Sequence, residues 1–228
     1  IDTIAYMAGV DKVDGILMDI GVSSKQLDDP KRGFSYRYDV KLDMRMNTEQ
    51  KISAYDVVNT YTEEQLSKII FEYGEERHAR KIAKFIVERR KSSPIEKTSD
   101  LITLIKRAYP ERASKHPAKK TFQAIRIEVN RELEVLENAI SKAAELLKVG
   151  GRLAIITFHS LEDRIVKNKF KDLATACKCP KDIPICVCGG VKKFEIITKK
   201  PIIPIDNELK NNNRAHSSKL RILERILD

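Results

Sequence analysis

Long apolar runs are missing from this sequence: nothing in it approaches the roughly 20 uninterrupted apolar residues that a membrane-spanning helix needs, which argues against a transmembrane protein. The opening residues, Ile1-Asp2-Thr3, offer neither a basic leader nor a long apolar stretch, so a cytosolic location without membrane attachment is expected. Cysteine is confined to positions 177–188, leaving none for a disulfide framework elsewhere. What remains is ample for folding. The chain has 228 residues, 42% hydrophobic and 33% charged, enough for one sizeable core or a core with a smaller domain. Residue 1 is Ile, and a strand signal arrives within twenty residues of it; the chain is therefore expected to be the remainder of a longer protein, lacking an N-terminal part.

Acidic residues are outnumbered, 33 against 43 basic ones, and the excess is concentrated. The segment from Glu75 to Arg131 carries most of it, through Arg77, Arg80, Lys81, Lys84 and Lys91 early on and Lys106, Arg107, Arg112, Lys119 and Lys120 later. Neutralising phosphates releases condensed counterions, so a basic surface gathered in one segment points to a nucleic acid partner. The plainer alternative is a solvated helix surface.

Asp14-Gly15-Ile16-Leu17-Met18-Asp19-Ile20-Gly21 is a short apolar run ending in a carboxylate and a glycine, the pattern of a buried parallel strand that opens into a loop at its carboxyl end. Ligands of α/β sheets bind at such ends. Val22 to about Asn47 shows neither helical nor strand periodicity. Thr62 to Gln65 has capping-box spacing, and Leu66, Ile69, Ile70 and Tyr73 recur on one helical face. Helices over about 76–90 and 100–109 follow, with Ile82, Phe85 and Ile86, then Leu101, Leu104 and Ile105, turned inward. A long amphipathic helix is predicted from Asn130 to Lys148, stopped by Gly150-Gly151. A second buried strand is predicted over Arg152–Phe158, and a helix capped by Ser160 after it. Two β segments, Lys193–Thr198 and Lys219–Arg225, close the chain. Strands alternating with helices around an all-helical stretch predict an α/β doubly wound sheet interrupted by a helical insertion.

Several stretches together carry a resemblance: Asp14 to Asp29, Arg32-Gly33-Phe34-Ser35-Tyr36-Arg37, Leu42-Asp43-Met44-Arg45-Met46, Tyr73 to Arg77, Phe122 to Glu134 and Thr157 to Arg164. In this order they closely resemble the RsmH (MraW) family, the 16S ribosomal RNA (cytosine(1402)-N4)-methyltransferases, over nearly the whole chain. The resemblance implies a class I (Rossmann-like) methyltransferase fold with an inserted helical domain for substrate recognition, and S-adenosylmethionine as donor. It places residues 1–28 and 123–228 in the methyltransferase domain and 29–122 in a loop plus basic insertion. The expected partners are 16S rRNA and the small (30S) ribosomal subunit, with a homodimer left open. Donor binding is implied for Asp19 and Gln26. The family's glycine-rich donor loop, ribose-binding acid and aromatic contact have no counterpart here, so weak donor binding or none is expected of the chain.

The chemistry points to the same strand end. Cytosine's exocyclic amine is a poor nucleophile, and an enzyme must align it with the sulfonium methyl and accept a hydrogen bond from it as charge develops. Asp19 is placed by topology to contact donor or acceptor; its structural alternative is a carboxylate capping the next turn. Without the resemblance, Gln26 would read as an exposed loop residue. Ser23, Ser24, Asp43 and Arg45 are candidates for lining an acceptor pocket, although Asp43 and Arg45 suit a structural ion pair equally. His159 and Ser160 follow the second strand at the same sheet edge and are candidate catalytic groups, or a structural hydrogen-bonder and a helix cap. Arg126, Asn130 and Arg131 suit RNA phosphates or an interdomain clamp.

Cys177, Cys179, Cys186 and Cys188 form a CxC, six residues, CxC arrangement. Four thiols this close suit a tetrahedral structural zinc; reduced thiols or an opportunistic disulfide are the alternatives. Two rivals to the enzyme reading stand beside it. One is a non-catalytic RNA- or ribosome-binding assembly factor with a methyltransferase-like fold. The other is an enzyme acting on free nucleotides, against which the basic segment argues.

Overall fold

Chain order explains the architecture of the computed structural model, which describes residues 1–110, 117–177, 179 and 188–228. A short helix, α1 (Asp2–Met7), precedes the first strand, β1 (Val13–Asp19). The chain then builds a helical unit, Val22–Glu132. Reciprocal caps start three of its helices. Ser23 with Gln26 caps α2 (Ser24–Asp28), Ser53 with Asp56 caps α3 (Ala54–Thr60), and Thr62 with Gln65 caps α4 (Glu63–Glu72), the last as its spacing predicts. Helices α5 (Ala79–Arg90), α6 (Thr98–Ala108) and α7 (Ala118–Asn130) complete the unit.

Leu66, Ile70, Ile82, Ile86, Leu101, Ile105 and Ile125 interlock in one core, each burial stabilising the unit by roughly 1.5–3 kcal/mol. The start of α5 lies three residues later than the expected Glu76, because Glu76 is a buried polar hub. Its carboxylate accepts the His78 N–H at 2.8 Å and the Tyr109 hydroxyl. Phe122, Ile125 and Val129 of α7 belong to this core, and Val22 and Leu27 pack against it. The helical unit therefore runs from Val22 to Glu132, wider than the 29–122 suggested by the sequence.

Ile1–Gly21 with Leu133–Asp228 make the second unit. The predicted long helix begins at Glu132 as α8 (Glu132–Leu146), because Arg131 adopts a left-handed conformation, φ 50°, that ends α7. Arg126 and Asn130 thus belong to α7. Strand β2 (Leu147–Thr157), helix α9 (Ser160–Ala174), strand β3 (Phe194–Ile196), helix α10 (Asp206–Asn211) and strand β4 (Lys219–Arg225) follow. The strands form a mixed sheet in the order β1-β2-β4-β3, with β1 and β2 parallel and the other pairs antiparallel.

Leu153 and Ile155 of β2, Leu223 of β4, Leu136 and Ile140 of α8, and Val166 and Phe170 of α9 share the core of this unit. The expectation of a buried first strand needs correction. In the described sheet β1 is an edge strand with a single partner, none of its residues is fully buried, and Leu17 is 67% exposed.

Candidate functional site

The two parallel strands end side by side. Asp19 closes β1 opposite Ile156, and its side chain is exposed to solvent. The Ile20 N–H still bonds the Ile156 carbonyl at 3.3 Å, after which Gly21 turns the chain away at φ +98°, a conformation that suits glycine alone. One residue after β2, Phe158 and His159 lead into α9. Asp19, His159 and Ser160 therefore meet at the carboxyl edge of one parallel pair, the position at which α/β sheets place ligands.

Which residue caps α9 differs from expectation. His159 is the N-cap, its Nδ1 accepting the Glu162 N–H at 3.4 Å, and Ser160 is the first helical residue. Glu162 has the length to reach back: its Oε2 accepts the Phe158 N–H at 2.8 Å and the His159 N–H at 3.2 Å. An acceptor role for Nδ1 puts the proton of a neutral ring on Nε2. That atom is buried and lies 3.1 Å from Glu162 Oε1 without hydrogen-bond alignment. The His159 ring is thus enclosed and used for structure, while Ser160 is exposed.

Asp163, three residues beyond Ser160, is occupied elsewhere. It accepts Arg221 Nε at 2.7 Å, Arg221 Nη2 at 3.2 Å and Lys219 Nζ at 3.2 Å, pinning the start of α9 to β4. Burial pushes the Asp163 carboxyl up, but the hydrogen bonds and charges of Arg221 and Lys219 outweigh it and hold the carboxyl below its ordinary value.

The remaining predicted residues lie in the helical unit. Ser23 and Gln26 complete the α2 capping box: Ser23 Oγ accepts the Gln26 N–H at 3.2 Å, and Gln26 Oε1 accepts the Ser23 N–H at 3.1 Å. Ser24 is exposed beside them. Asp43 and Arg45 form a bidentate pair at 3.0 and 2.7 Å, and Arg45 also donates to the Gln50 carbonyl. Burial raises the Asp43 carboxyl, yet the Arg45 hydrogen bonds and charge leave it lowered overall. Asn130 clamps the same loop: its Oδ1 accepts the Met46 N–H at 2.7 Å, while its Nδ2 donates to the Met44 and Arg126 carbonyls at 2.8 Å each. Arg126 is held by Glu132 through two bonds of 2.8 and 2.9 Å, and Arg131 is exposed.

Pairing also sorts the basic segment. Arg90 donates to the Val58 and Tyr61 carbonyls, and Arg89 to Ser93, so both serve the fold. Arg77, Arg80, Lys81, Lys106, Arg107 and Lys119 point to solvent. Lys81 and Arg107 converge on Phe85, with charges 5.8 and 4.9 Å from the ring centre. Arg112 and Lys115 lie outside the described residues.

Cys177, Cys179 and Cys188 bring their sulfurs within 4.8 Å of one another. Cys186 lies outside the described residues.

Sequence reasoning missed Glu162 and Arg32. Arg32 Nη2 donates to the Arg45 and Met46 carbonyls at 2.7 and 3.1 Å, holding the loop that carries Asp43. Beside it Gly33 sits at φ +68°, where a Cβ would lie 2.7 Å from the Lys41 carbonyl oxygen. The signal was an Arg-Gly pair inside a stretch without periodicity.

Comparison with known proteins agrees with the sequence resemblance. The profile of the MraW methylase family matches residues 1–226. The chain is 96% identical over 228 residues to "Ribosomal RNA small subunit methyltransferase H" of Fusobacterium nucleatum, covering 100% of this chain and 73% of that protein. It is 57% identical over 228 residues to the protein of the same name from Clostridium botulinum, covering 99% and 74%. The corresponding protein of Caldicellulosiruptor saccharolyticus is 56% identical over 227 residues, again covering 99% and 74%.

Proposed function

Because the chain belongs to the MraW methylase family, we propose that it transfers a methyl group from S-adenosylmethionine to N4 of a cytidine in 16S ribosomal RNA, in the decoding region. The observation that carries this reading is the family match across residues 1–226. The protein is an enzyme of class I methyltransferase fold, with the mixed sheet as its platform and the helical unit as its insertion.

S-adenosylmethionine supplies an electrophilic methyl on a positively charged sulfonium. The residues at the strand ends suit such a ligand. Asp19 offers an exposed carboxylate that accepts hydrogen bonds from donor hydroxyl or ammonium groups, or from the cytosine amine as it gains positive charge. Gln26 uses Oε1 in the cap and keeps its Nε2 to donate. Gly21 and the Glu162 bonds to Phe158 and His159 fix the two loops flanking Asp19, so that carboxylate presents its oxygens from a braced position. His159 is a positioning residue here, because its ring is enclosed by the cap. Ser160, the first residue of α9, and Ser24, in the α2 cap region, are each exposed at the surface of their own unit.

Arg77, Arg80, Lys81, Lys106, Arg107 and Lys119 supply phosphate contacts, with the helical unit acting in substrate recognition. Asp43, Arg45, Arg126 and Asn130 shape the loop and the end of α7 instead of meeting phosphates, since their polar atoms are engaged internally. A base held in a stacked helix must be flipped out before its amine is reached. The partner is the 16S rRNA of the 30S subunit and the location the cytosol. Among the described residues no helix is long and apolar enough to cross a membrane.

The test incubates the full-length protein with labelled S-adenosylmethionine and 30S particles that lack this methyl group, with and without Asp19→Ala. Label on N4 of one decoding-region cytidine, lost in the variant, is the expected result. Tight RNA binding with no transfer to particles or naked rRNA would favour a non-catalytic assembly factor instead.

A further inference from the structure

The connection between α9 and β3 carries a chemistry that methyl transfer does not use. Its thiols at Cys177, Cys179 and Cys188 come from two places in the sequence, just after α9 and just before β3, and their sulfurs all lie within 4.8 Å of one another. We propose that these three thiolates hold a structural zinc ion that ties the end of α9 to the approach to β3.

Distance rules out a disulfide between these thiols and leaves room for a shared ion. Cys177 Sγ and Cys188 Sγ are 3.8 Å apart. A disulfide holds its sulfurs about 2.05 Å apart. A tetrahedral zinc with bonds of about 2.3 Å sets neighbouring sulfurs about 3.8 Å apart along the tetrahedron edge. The backbone is shaped for the same purpose. Gly189, directly after Cys188, has φ +57°, and a Cβ at Gly190 would overlap the Ala176 carbonyl oxygen. The Cys188-Gly189-Gly190 turn thus lets the two ends of the connection touch beside the thiols, which no side chain at position 190 would permit.

Thiolates are soft ligands that select zinc over the hard divalent cations, and binding displaces one proton from each thiol. The fourth position belongs to water or a further ligand. Closing a loop at its base removes chain entropy from the unfolded state, so the metal stabilises the β3 end of the sheet without entering the reaction.

The full chain, untagged and purified under reducing conditions without chelator, is analysed for metal by mass spectrometry and then reconstituted with cobalt(II). The expected result is about one zinc per chain, lost in Cys177→Ser and in Cys188→Ser. The cobalt form should show sulfur-to-cobalt charge transfer with the intense visible bands of a tetrahedral site. X-ray absorption on the zinc form then counts the sulfurs, three or four supporting the site. The cobalt spectrum of the parent protein stands even if a serine variant fails to fold. A parent chain that carries no zinc and takes up no cobalt, or metal retained in both variants, would overturn the proposal. So would alkylation of the denatured protein that finds Cys177 joined to Cys188.

Discussion

Replacing Asp163 by Asn tests whether the start of α9 is held by the ionic contact to β4. The carboxylate meets Arg221 through bonds of 2.7 and 3.2 Å and Lys219 through one of 3.2 Å. The Arg221 side chain is 9% exposed and that of Lys219 40%, so Lys219 regains water when the charge is lost while Arg221 stays enclosed without a counter-charge. Removing one partner of a buried pair costs about 3–5 kcal/mol. Asn keeps one acceptor for Arg221, which brings the expected loss to about 2–3 kcal/mol, or roughly 5–10 °C in melting temperature for a chain of this size.

The loss also has a pH signature. The folded carboxyl lies below its ordinary value, so its contribution is complete above about pH 4 and disappears as pH falls through the folded value. Thermal melts of the parent and Asp163→Asn should therefore differ near neutrality and converge in acid. Adding Arg221→Met removes the stranded charge and should recover most of the loss. A melting temperature within about 1 °C of the parent for the single variant, or a gap that persists unchanged in acid, would refute this account.

Other outcomes follow from the same geometry. Glu162→Gln weakens the bonds to the Phe158 and His159 N–H groups; a loss of about 1–2 kcal/mol should accompany a lower methyl-transfer kcat in the labelled-donor assay. Asn130→Ala strips the Met46 N–H and the Met44 carbonyl of their partner and should cost about 2–3 kcal/mol in denaturant unfolding. Combining Lys81→Ala with Arg107→Ala should weaken rRNA binding and lower the slope of log affinity against log salt by about 1.5, while leaving the melting temperature near that of the parent.

Much of this protein was legible in the sequence because local rules govern it. The Thr62 and Gln65 cap and the apolar faces of α4, α5 and α6 follow from helical spacing and capping chemistry, and the strands β1 and β2 from short apolar runs bounded by glycine or polar residues. The family was legible in its ordered motifs, and Asp19 was placed at the strand end by topology alone. Side chains with several possible partners were decided by the fold. Ser160 and His159 both suit an N-cap, and the choice fell to His159 because Glu162 reaches back to Phe158 while Asp163 is taken by Arg221, 58 residues away. Likewise Arg126 and Asn130 suit RNA phosphates or a clamp in sequence, and Asp43 and Arg45 an acceptor pocket or an ion pair; in the folded unit they satisfy Glu132, the backbone of Met44 and Met46, and each other. Periodicity encodes which face of an element is buried. The partner a polar group finds across the chain exists only once distant segments are packed together, and at Asp163, Asn130 and the clustered thiols tertiary structure made that choice.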